Sequence, residues 1–237
     1  MDKRIKVIIP NIVPTFNKST LERLNVYKSA DTHIDVVNAK SGPEFIEQKY
    51  DIAWAELFVL LEAEKAEAAG YDAVIINCAL DPARTAAREK LKIPVVSLFE
   101  TALHIAAMLG KRISVIIPPG ATSAREELID IYRMRDKYVS SRLVNLSIAA
   151  MSDKNHSFEP VYLACKAAVE EDGADVLILG CAAMVEMGPR IAEILNVPVI
   201  EPDIVALKYC EALIDLSLSQ SKKLYSPPSI HKRTITG

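Results

Sequence analysis

The strongest constraint on the fold is an internal duplication of the chain. Three pairs of segments match in the same order, at offsets of 108, 103 and 104 residues. The pairs are Lys3–Pro10 with Lys111–Pro118 (seven of eight residues identical), 70–79 with 173–182 (Gly-x-Asp, four apolar residues, any residue, Cys-Ala), and Ile93–Val96 with Val197–Ile200. Any two buried strands can share one such match by chance, but three in the same order are hard to dismiss. The chain is therefore predicted to consist of two related halves.

Short apolar segments alternate with helical patterns in both halves. Strands are predicted at 5–10, 34–38, 73–78, 95–98, 113–117, 143–148, 176–179 and 198–201. Such runs are typical of strands covered on both faces, and their alternation with helices favours parallel sheets. We predict an α/β fold with two halves related by a pseudo-twofold axis. Each half has a mainly parallel sheet flanked by helices, and an active-site cleft lies between the halves.

Sequence motifs also predict where several helices begin. The Ser-x-x-Glu form of a capping box occurs at Ser19, Ser41 and Ser123. The second of these precedes a long helical pattern over 44–69. Proline in a first helical turn is predicted at Asp81-Pro82 and at Gly188-Pro189.

The domain boundaries follow from the repeat and from the C-terminal helical pattern over 204–218. This last helix is predicted to fold back onto the first half. We therefore expect one unit to comprise residues 1–105 with 207–237, and the other to comprise residues 106–206. The polar, basic tail from Ser219 is expected to be mobile or to act as an interface arm.

Composition excludes several classes of partner. Half of the 237 residues are hydrophobic, so the chain can bury a core, and no apolar run approaches the roughly 20 residues that a membrane span needs. The net charge of −3 gives no electrostatic case for binding nucleic acid or an anionic membrane. No signal-peptide pattern precedes Pro10. We expect a cytoplasmic homo-oligomer that acts on a small molecule.

Glycine and cysteine usage argue against cofactors and metals. The eight glycines include no Gly-x-Gly, which excludes the dinucleotide fingerprint and the phosphate-binding loop. No Cys-x-x-Cys occurs, so structural zinc is not expected. Four cysteines in a cytosolic chain of this size do not form a disulfide framework. They are Cys78, Cys165, Cys181 and Cys210.

Two of these cysteines end buried strands at equivalent positions of the repeat. Ligands of α/β sheets bind beyond the carboxyl ends of the strands, so Cys78 and Cys181 are predicted to lie on opposite sides of one cleft. Asp81 and Gly188 each begin a helix shortly afterwards, and a nearby helix N-terminus favours a thiolate. Glu100 follows the fourth strand. It either orients groups near Cys78 or serves as a carboxylate at a helix start.

Matched thiols across a cleft suit inversion at an acidic carbon. One thiolate removes a proton from one face of the carbon, and the opposite thiol delivers a proton to the other face. No pyridoxal phosphate is needed if backbone N–H groups stabilise the developing enolate. Cys165 and Cys210 lie on apolar helical faces and are expected to be packing residues.

Nearly the whole chain, from about residue 4 to 218, resembles the aspartate/glutamate/hydantoin racemase superfamily, and within it the hydantoin and allantoin racemase branch. The residues that carry this resemblance are Ile9-Pro10-Asn11, Ser41-Gly42-Pro43, Cys78 with Asp81-Pro82, Pro94-Val95-Val96, Glu100 to His104, and Gly180-Cys181-Ala182-Ala183-Met184. The resemblance implies that Cys78 and Cys181 are the catalytic pair and that Asn11 lies at the substrate cleft. Ala79 and Ala182 would offer backbone N–H groups to a substrate carbonyl.

The chain departs from the branch at three places. It has Ile9-Pro10-Asn11-Ile12 in place of Asn-Pro-Asn-Thr, Pro118-Pro119 in place of a threonine pair, and Ala183 in place of a glycine. Three alternatives therefore stay open: a decarboxylase with one active thiol, a maleate-type cis-trans isomerase, and a binding protein without turnover.

Overall fold

The computed structural model describes residues 2–120, 122–151, 154–181 and 184–229. The strands are β1 Lys3–Ile9, β2 Thr32–Asn38, β3 Ala73–Ile76, β4 Val95–Ser97, β5 Ile113–Ile117, β6 Tyr138–Leu143, β7 Val176–Leu179 and β8 Val199–Ile200. The helices are α1 Thr15–Tyr27, α2 Lys49–Ala68, α3 Arg84–Lys90, α4 Leu98–Leu109, α5 Thr122–Ile131, α6 Ile148–Met151, α7 Lys154–Glu170, α8 Gly188–Leu195 and α9 Pro202–Asp215.

The described strands form two parallel sheets with the same strand order. The first is β2-β1-β3-β4 and the second is β6-β5-β7-β8. The register of the central strands repeats as well: Ile5 pairs with Ala73 in the first sheet, and Ile113 pairs with Val176 in the second. These four residues are equivalent by the offsets of the sequence repeat. The predicted α/β fold with two mainly parallel sheets is confirmed.

The helices that follow β4 and β8 are exchanged between the sheets. α4 packs its buried face, including Phe99 and Leu103, against β5 and β7 of the second sheet. α9 packs Leu207 and Cys210 against β1 and β3 of the first sheet. α4 and α9 also contact each other. Each sheet therefore completes its apolar core with a helix that enters from the other half.

The predicted domain boundaries fall inside these exchanged helices. Residue 105 lies within α4 and residue 206 lies within α9. The expected return of the last helix to the first sheet agrees with the packing of α9. The division into units at these two positions stays a prediction.

One predicted strand is misplaced. The apolar pattern predicted a strand over 143–148, but β6 occupies Tyr138–Leu143. β6 is an edge strand whose residues are half-buried or exposed, so its sequence lacks the apolar run of a covered strand. The apolar residues that follow form a loop, in which Val144 packs into the core beside α7.

Several predicted helix starts are also wrong. α1 begins at Thr15, so Ser19 lies inside the helix, and Ser123 is the second residue of α5. α2 begins at Lys49 rather than near Ser41, and the Asp51 carboxylate accepts the Gln48 N–H at 2.9 Å. At the start of α2, this local hydrogen bonding outweighs the sequence motif at Ser41. The start of α8 at Gly188-Pro189 is as predicted.

A buried ion cluster joins α1 of the first half to Glu201, which precedes α9, and to Asp203 in the first turn of α9. Arg23 Nη1 lies 2.6 Å from Glu201 Oε2, and Arg23 Nη2 pairs with the Asp203 carboxylate. Glu201 also accepts the N–H of Gly188, the first residue of α8, at 3.0 Å. The cluster therefore fixes the end of β8 and the start of α8 against the first half.

None of the helices in the described ranges combines the length and apolar character that a bilayer crossing requires.

We expect Arg23→Met to lower the free energy of unfolding by about 3–5 kcal/mol, because it leaves two buried carboxylates without their cation. Urea denaturation measures the effect. Lys18→Met is the matched control on the same helix, since Lys18 is exposed and its pair with Glu22 is worth at most about 0.5 kcal/mol. Equal stability of the two variants would contradict a stabilising role for the cluster.

Candidate active site

The carboxyl ends of the four central strands line one cavity. Cys78 follows β3 and Cys181 follows β7, and both are half-buried in its wall. Asn11 follows β1, and Pro118 follows β5. The volume is about 220 Å³, smaller than the pockets of roughly 300–1,000 Å³ that hold drug-sized ligands. The duplicated sheets therefore bring both predicted cysteines to one site with room for a small ligand.

The environment of Cys78 differs from the one predicted. Burial, together with the smaller effects of the charges of Asp81 and Cys181, raises the pKa of the Cys78 thiol to about 12. A hydrogen bond from the Leu80 N–H and the charge of Arg125 oppose this shift. The expected thiolate-stabilising helix start is absent here, because α3 begins only at Arg84. The free protein therefore holds Cys78 as a thiol at neutral pH.

The predicted substrate-binding positions are only partly described. Ala79 lines the cavity and is 8% exposed, and no described residue accepts a hydrogen bond from its N–H. Ala182 lies outside the described residues. Asn11 Oδ1 accepts hydrogen bonds from the Val13 N–H at 3.1 Å and from Asn38 Nδ2 at 2.9 Å. Local contacts thus occupy the carbonyl oxygen of Asn11, and its Nδ2 group is the part that can donate to a ligand.

Asp81 caps a different helix from the one predicted. Its Oδ1 accepts the Phe99 N–H at 3.0 Å, and its Oδ2 accepts the Glu100 N–H at 2.9 Å. Both donors lie in the first turn of α4. The Tyr132 hydroxyl donates to Oδ2 at 2.6 Å. Burial raises the pKa of Asp81, against the opposing effect of these three hydrogen bonds. Asp81 therefore holds the loop after Cys78 onto α4 and onto the chain after α5.

Glu100 lies beside the site and is not among the described residues that line the cavity. Its carboxylate pairs with Arg84 at 3.0 Å and with Arg88 of the same helix, α3. Burial alone would raise the pKa of Glu100, but the hydrogen bond and charge of Arg88 lower it below its usual value. Of the two roles left open by the sequence, the geometry favours the structural one.

The sequence did not point to two arginines in the cavity wall. Arg23 is neutralised by Glu201 and Asp203. Arg125 is 3% exposed, and no described residue accepts a hydrogen bond from its Nε or Nη1. Both were overlooked because each lies on a helix whose sequence resembles a solvated face. The sequence did contain one signal that Arg125 is buried. This arginine directly follows Ala124, at a position where the helical pattern of α5 places apolar residues.

The remaining cysteines lie away from the cavity. Cys165 is buried in the core between α7 and the second sheet, and Cys210 is buried in the core between α9 and the first sheet. Burial raises the pKa of both thiols. The described part of the chain holds no group of three or more His, Cys, Asp and Glu side chains placed to bind a metal ion.

Comparison with known proteins agrees with the resemblance inferred from the sequence. The model of the Asp/Glu/hydantoin racemase family matches residues 5–210. A hydantoin racemase of Pseudomonas sp. (strain NS671) is 35% identical over 228 residues, which cover 95% of this chain and 92% of that protein. The expected membership of the superfamily and the expected isomerase class are confirmed by these relatives.

Solved structures give the same result for the fold. An allantoin racemase from Klebsiella pneumoniae superposes with a TM-score of 0.93 at 29% identity, over 100% of this chain and 97% of that chain. An arylmalonate decarboxylase superposes with a TM-score of 0.63 at 18% identity, over 89% of this chain and 92% of that chain. The second likeness shows the fold alone.

We expect Asp81→Asn to lower the free energy of unfolding by about 1–3 kcal/mol. Whichever way the amide is placed, its NH₂ group faces at least one buried backbone N–H, which loses its acceptor. Urea denaturation checks the change, with Asp136→Asn in the exposed turn after α5 as the control. If both variants unfold like the wild type, Asp81 does not hold the loop.

Proposed function

Because this chain belongs to the Asp/Glu/hydantoin racemase family, we propose that it is a cofactor-independent racemase acting on an acidic carbon next to a carbonyl group. The proposed substrate is a small cyclic ureide of the hydantoin or allantoin type. The names of its relatives support this class, and a cavity of about 220 Å³ suits such a ligand. The observation that carries the proposal is that Cys78 and Cys181 line the same cavity from equivalent strands.

The proposed chemistry uses the two sulfur atoms in turn. A thiolate at Cys78 removes the proton from the substrate carbon, and the electron pair of the broken C–H bond moves onto the carbonyl oxygen as an enolate. The Cys181 thiol then donates its proton to the opposite face of that carbon and becomes the thiolate. The other enantiomer follows the reverse route. The high pKa of Cys78 makes its thiolate scarce in the free protein but strongly basic once formed.

Backbone and amide donors are proposed to bind the enolate oxygen. The Ala79 N–H has no acceptor among the described residues and lies next to Cys78. Asn11 presents its Nδ2 group because its Oδ1 is already engaged. Ala182 is proposed as the equivalent donor beside Cys181. Fixed donors of this kind stabilise charge that develops in the transition state.

Replacement of either cysteine tests the two-base mechanism. Serine has a far higher pKa than cysteine, so Cys78→Ser and Cys181→Ser each lose one base, and racemisation should fall at least about 10²-fold. Polarimetry over a panel of hydantoins and allantoin measures racemisation, and NMR in heavy water measures exchange of the proton on the inverted carbon. Each variant should retain exchange for one enantiomer only, with opposite preferences.

Cys165→Ala and Cys210→Ala are the matched controls, since both thiols lie in the cores and outside the cavity. Both variants should racemise at close to the wild-type rate. Full racemisation by Cys181→Ser would overturn the two-base mechanism and favour a reaction that needs only one thiol. Binding without turnover by the wild type would favour the non-catalytic alternative.

Chelation tests the proposed independence from metals. Two thiols exchange the proton directly, so dialysis against EDTA should leave the rate of racemisation unchanged. Polarimetry before and after dialysis measures this. Loss of activity that zinc restores would contradict the proposal.

The proposal also includes a cytoplasmic homo-oligomer, as expected from the sequence.

A further inference from the structure

Arg125 is a buried cation that forms no salt bridge with the residues the structure describes. It is 3% exposed and lines the cavity that Cys78 and Cys181 share. Among those described residues, none accepts a hydrogen bond from its Nε or Nη1. An isolated buried charge is costly, yet a guanidinium does not lose its proton in proteins. A group that arrives or ionises in the cavity must therefore offset this charge.

The second arginine in the cavity wall shows how unusual this is. Arg23 is paired with Glu201 and with Asp203, so the cluster carries its own negative charge. Within the described ranges, no carboxylate forms a salt bridge with Arg125. The positive charge of Arg125 is therefore left without a salt bridge to any carboxylate that the structure describes, although carboxylates stand elsewhere in the cavity wall.

The described groups whose charges act most strongly on Arg125 are Cys181, Cys78, Tyr138 and Asp81. Arg23, Glu186 and Asp203 also line the cavity. Burial and a hydrogen bond to Glu126 raise the pKa of Tyr138 to about 12, so it stays neutral. Asp81 already accepts three hydrogen bonds from other groups. Of these four groups, the two cysteines are the ones that line the cavity together with Arg125.

The proposed reaction carries one negative charge through the cavity. The charge begins on one sulfur, moves to the enolate oxygen when the proton leaves carbon, and ends on the other sulfur. No step creates or destroys net charge. A single fixed cation in the wall of this cavity can therefore stabilise the thiolate, the enolate and the second thiolate in succession without reorganising.

We propose that Arg125, which lines the same cavity as Cys78 and Cys181, is the counter-ion for this migrating negative charge. The inference rests on the proposed racemase function. It accounts for a cation that is buried, unpaired and placed in the wall that both cysteines share. The effect on the resting protein has the expected direction, since the charge of Arg125 lowers the pKa of Cys78 against the effect of burial.

Thiol alkylation tests the proposal without any substrate. Iodoacetamide reacts with thiolates, and peptide mass spectrometry follows Cys78 and Cys181 separately as a function of pH. Arg125→Met should move the profiles of both thiols to higher pH, and it should slow alkylation at a fixed pH below the transition by about tenfold or more, equivalent to one pKa unit. Arg125→Lys should restore part of this rate, because it returns a positive charge without the planar guanidinium.

Measurements of stability and a matched control variant separate the effect of the Arg125 charge from an effect on folding. Removal of an unpaired buried charge should leave the urea midpoint of Arg125→Met at or above that of the wild type. Arg125→Gln is a second neutral variant that retains polar atoms in case the Met variant misfolds. Arg133→Met removes the same charge at an exposed position just after α5, and it should leave both alkylation profiles unchanged.

Kinetics separate the counter-ion role from recognition of an anionic substrate. With a neutral hydantoin and one bearing a carboxylate, Arg125→Met should lower kcat for both by about 10²–10³-fold, as for loss of one oxyanion donor, with little change in KM. A rise in KM confined to the carboxylate-bearing substrate would overturn the proposal and make Arg125 a substrate-binding residue. Unshifted alkylation profiles in folded neutral variants would also overturn it.

The two proposals fail in distinguishable ways. Racemisation by the wild type with unshifted alkylation profiles in the Arg125 variants removes the counter-ion role alone. Shifted profiles without racemisation of any hydantoin or allantoin remove the proposed reaction, and with it the role of Arg125 in that reaction.

Discussion

The geometry of the cleft depends on the buried carboxylate of Asp81. This one group accepts hydrogen bonds from two backbone amides of α4 and from the hydroxyl of Tyr132. It stands three residues after Cys78, and Tyr132 stands just beyond the helix that carries Arg125. Asp81 therefore fixes the first thiol, the helix that crosses to the second sheet and the unpaired guanidinium relative to one another. Polar groups shared in this way set positions more strictly than apolar packing alone, because each lone pair has a single best direction.

Charge is distributed unequally around the cavity. Arg23 is paired with two carboxylates, so this cluster stabilises the fold but produces only a weak electrostatic field in the cavity. Arg125, by contrast, is buried in the cavity wall and forms no salt bridge with a described carboxylate. Burial makes that charge act more strongly on neighbouring groups than it would in water. The same burial raises the pKa of Cys78, so desolvation and the guanidinium act on the thiol in opposite directions.

The sequence predicted the parts of the molecule that depend on repetition. The duplicated segments place Cys78 and Cys181 at equivalent strand ends, and the structure repeats even the pairing register of Ile5 and Ile113. The edge strand β6 was misplaced because a half-exposed strand has no apolar run. The partners of Asp81 could not be predicted, since Phe99 and Tyr132 are distant in sequence and only tertiary folding brings them together. Arg125 was overlooked for the same reason: its environment is created by both halves of the chain.

The exchange of α4 and α9 has a consequence for the order in which the chain can fold. All four strands of the first sheet have been synthesised once residue 97 has been added. Part of the apolar face of this sheet is covered only by α9, which begins at residue 202. During synthesis on the ribosome, that face stays uncovered while the whole second sheet is made. Closing such a long loop is entropically costly and slows folding. A truncation that removes α9 would therefore expose the apolar face of the first sheet, which is the first part of the chain to be synthesised. The two halves must fold together.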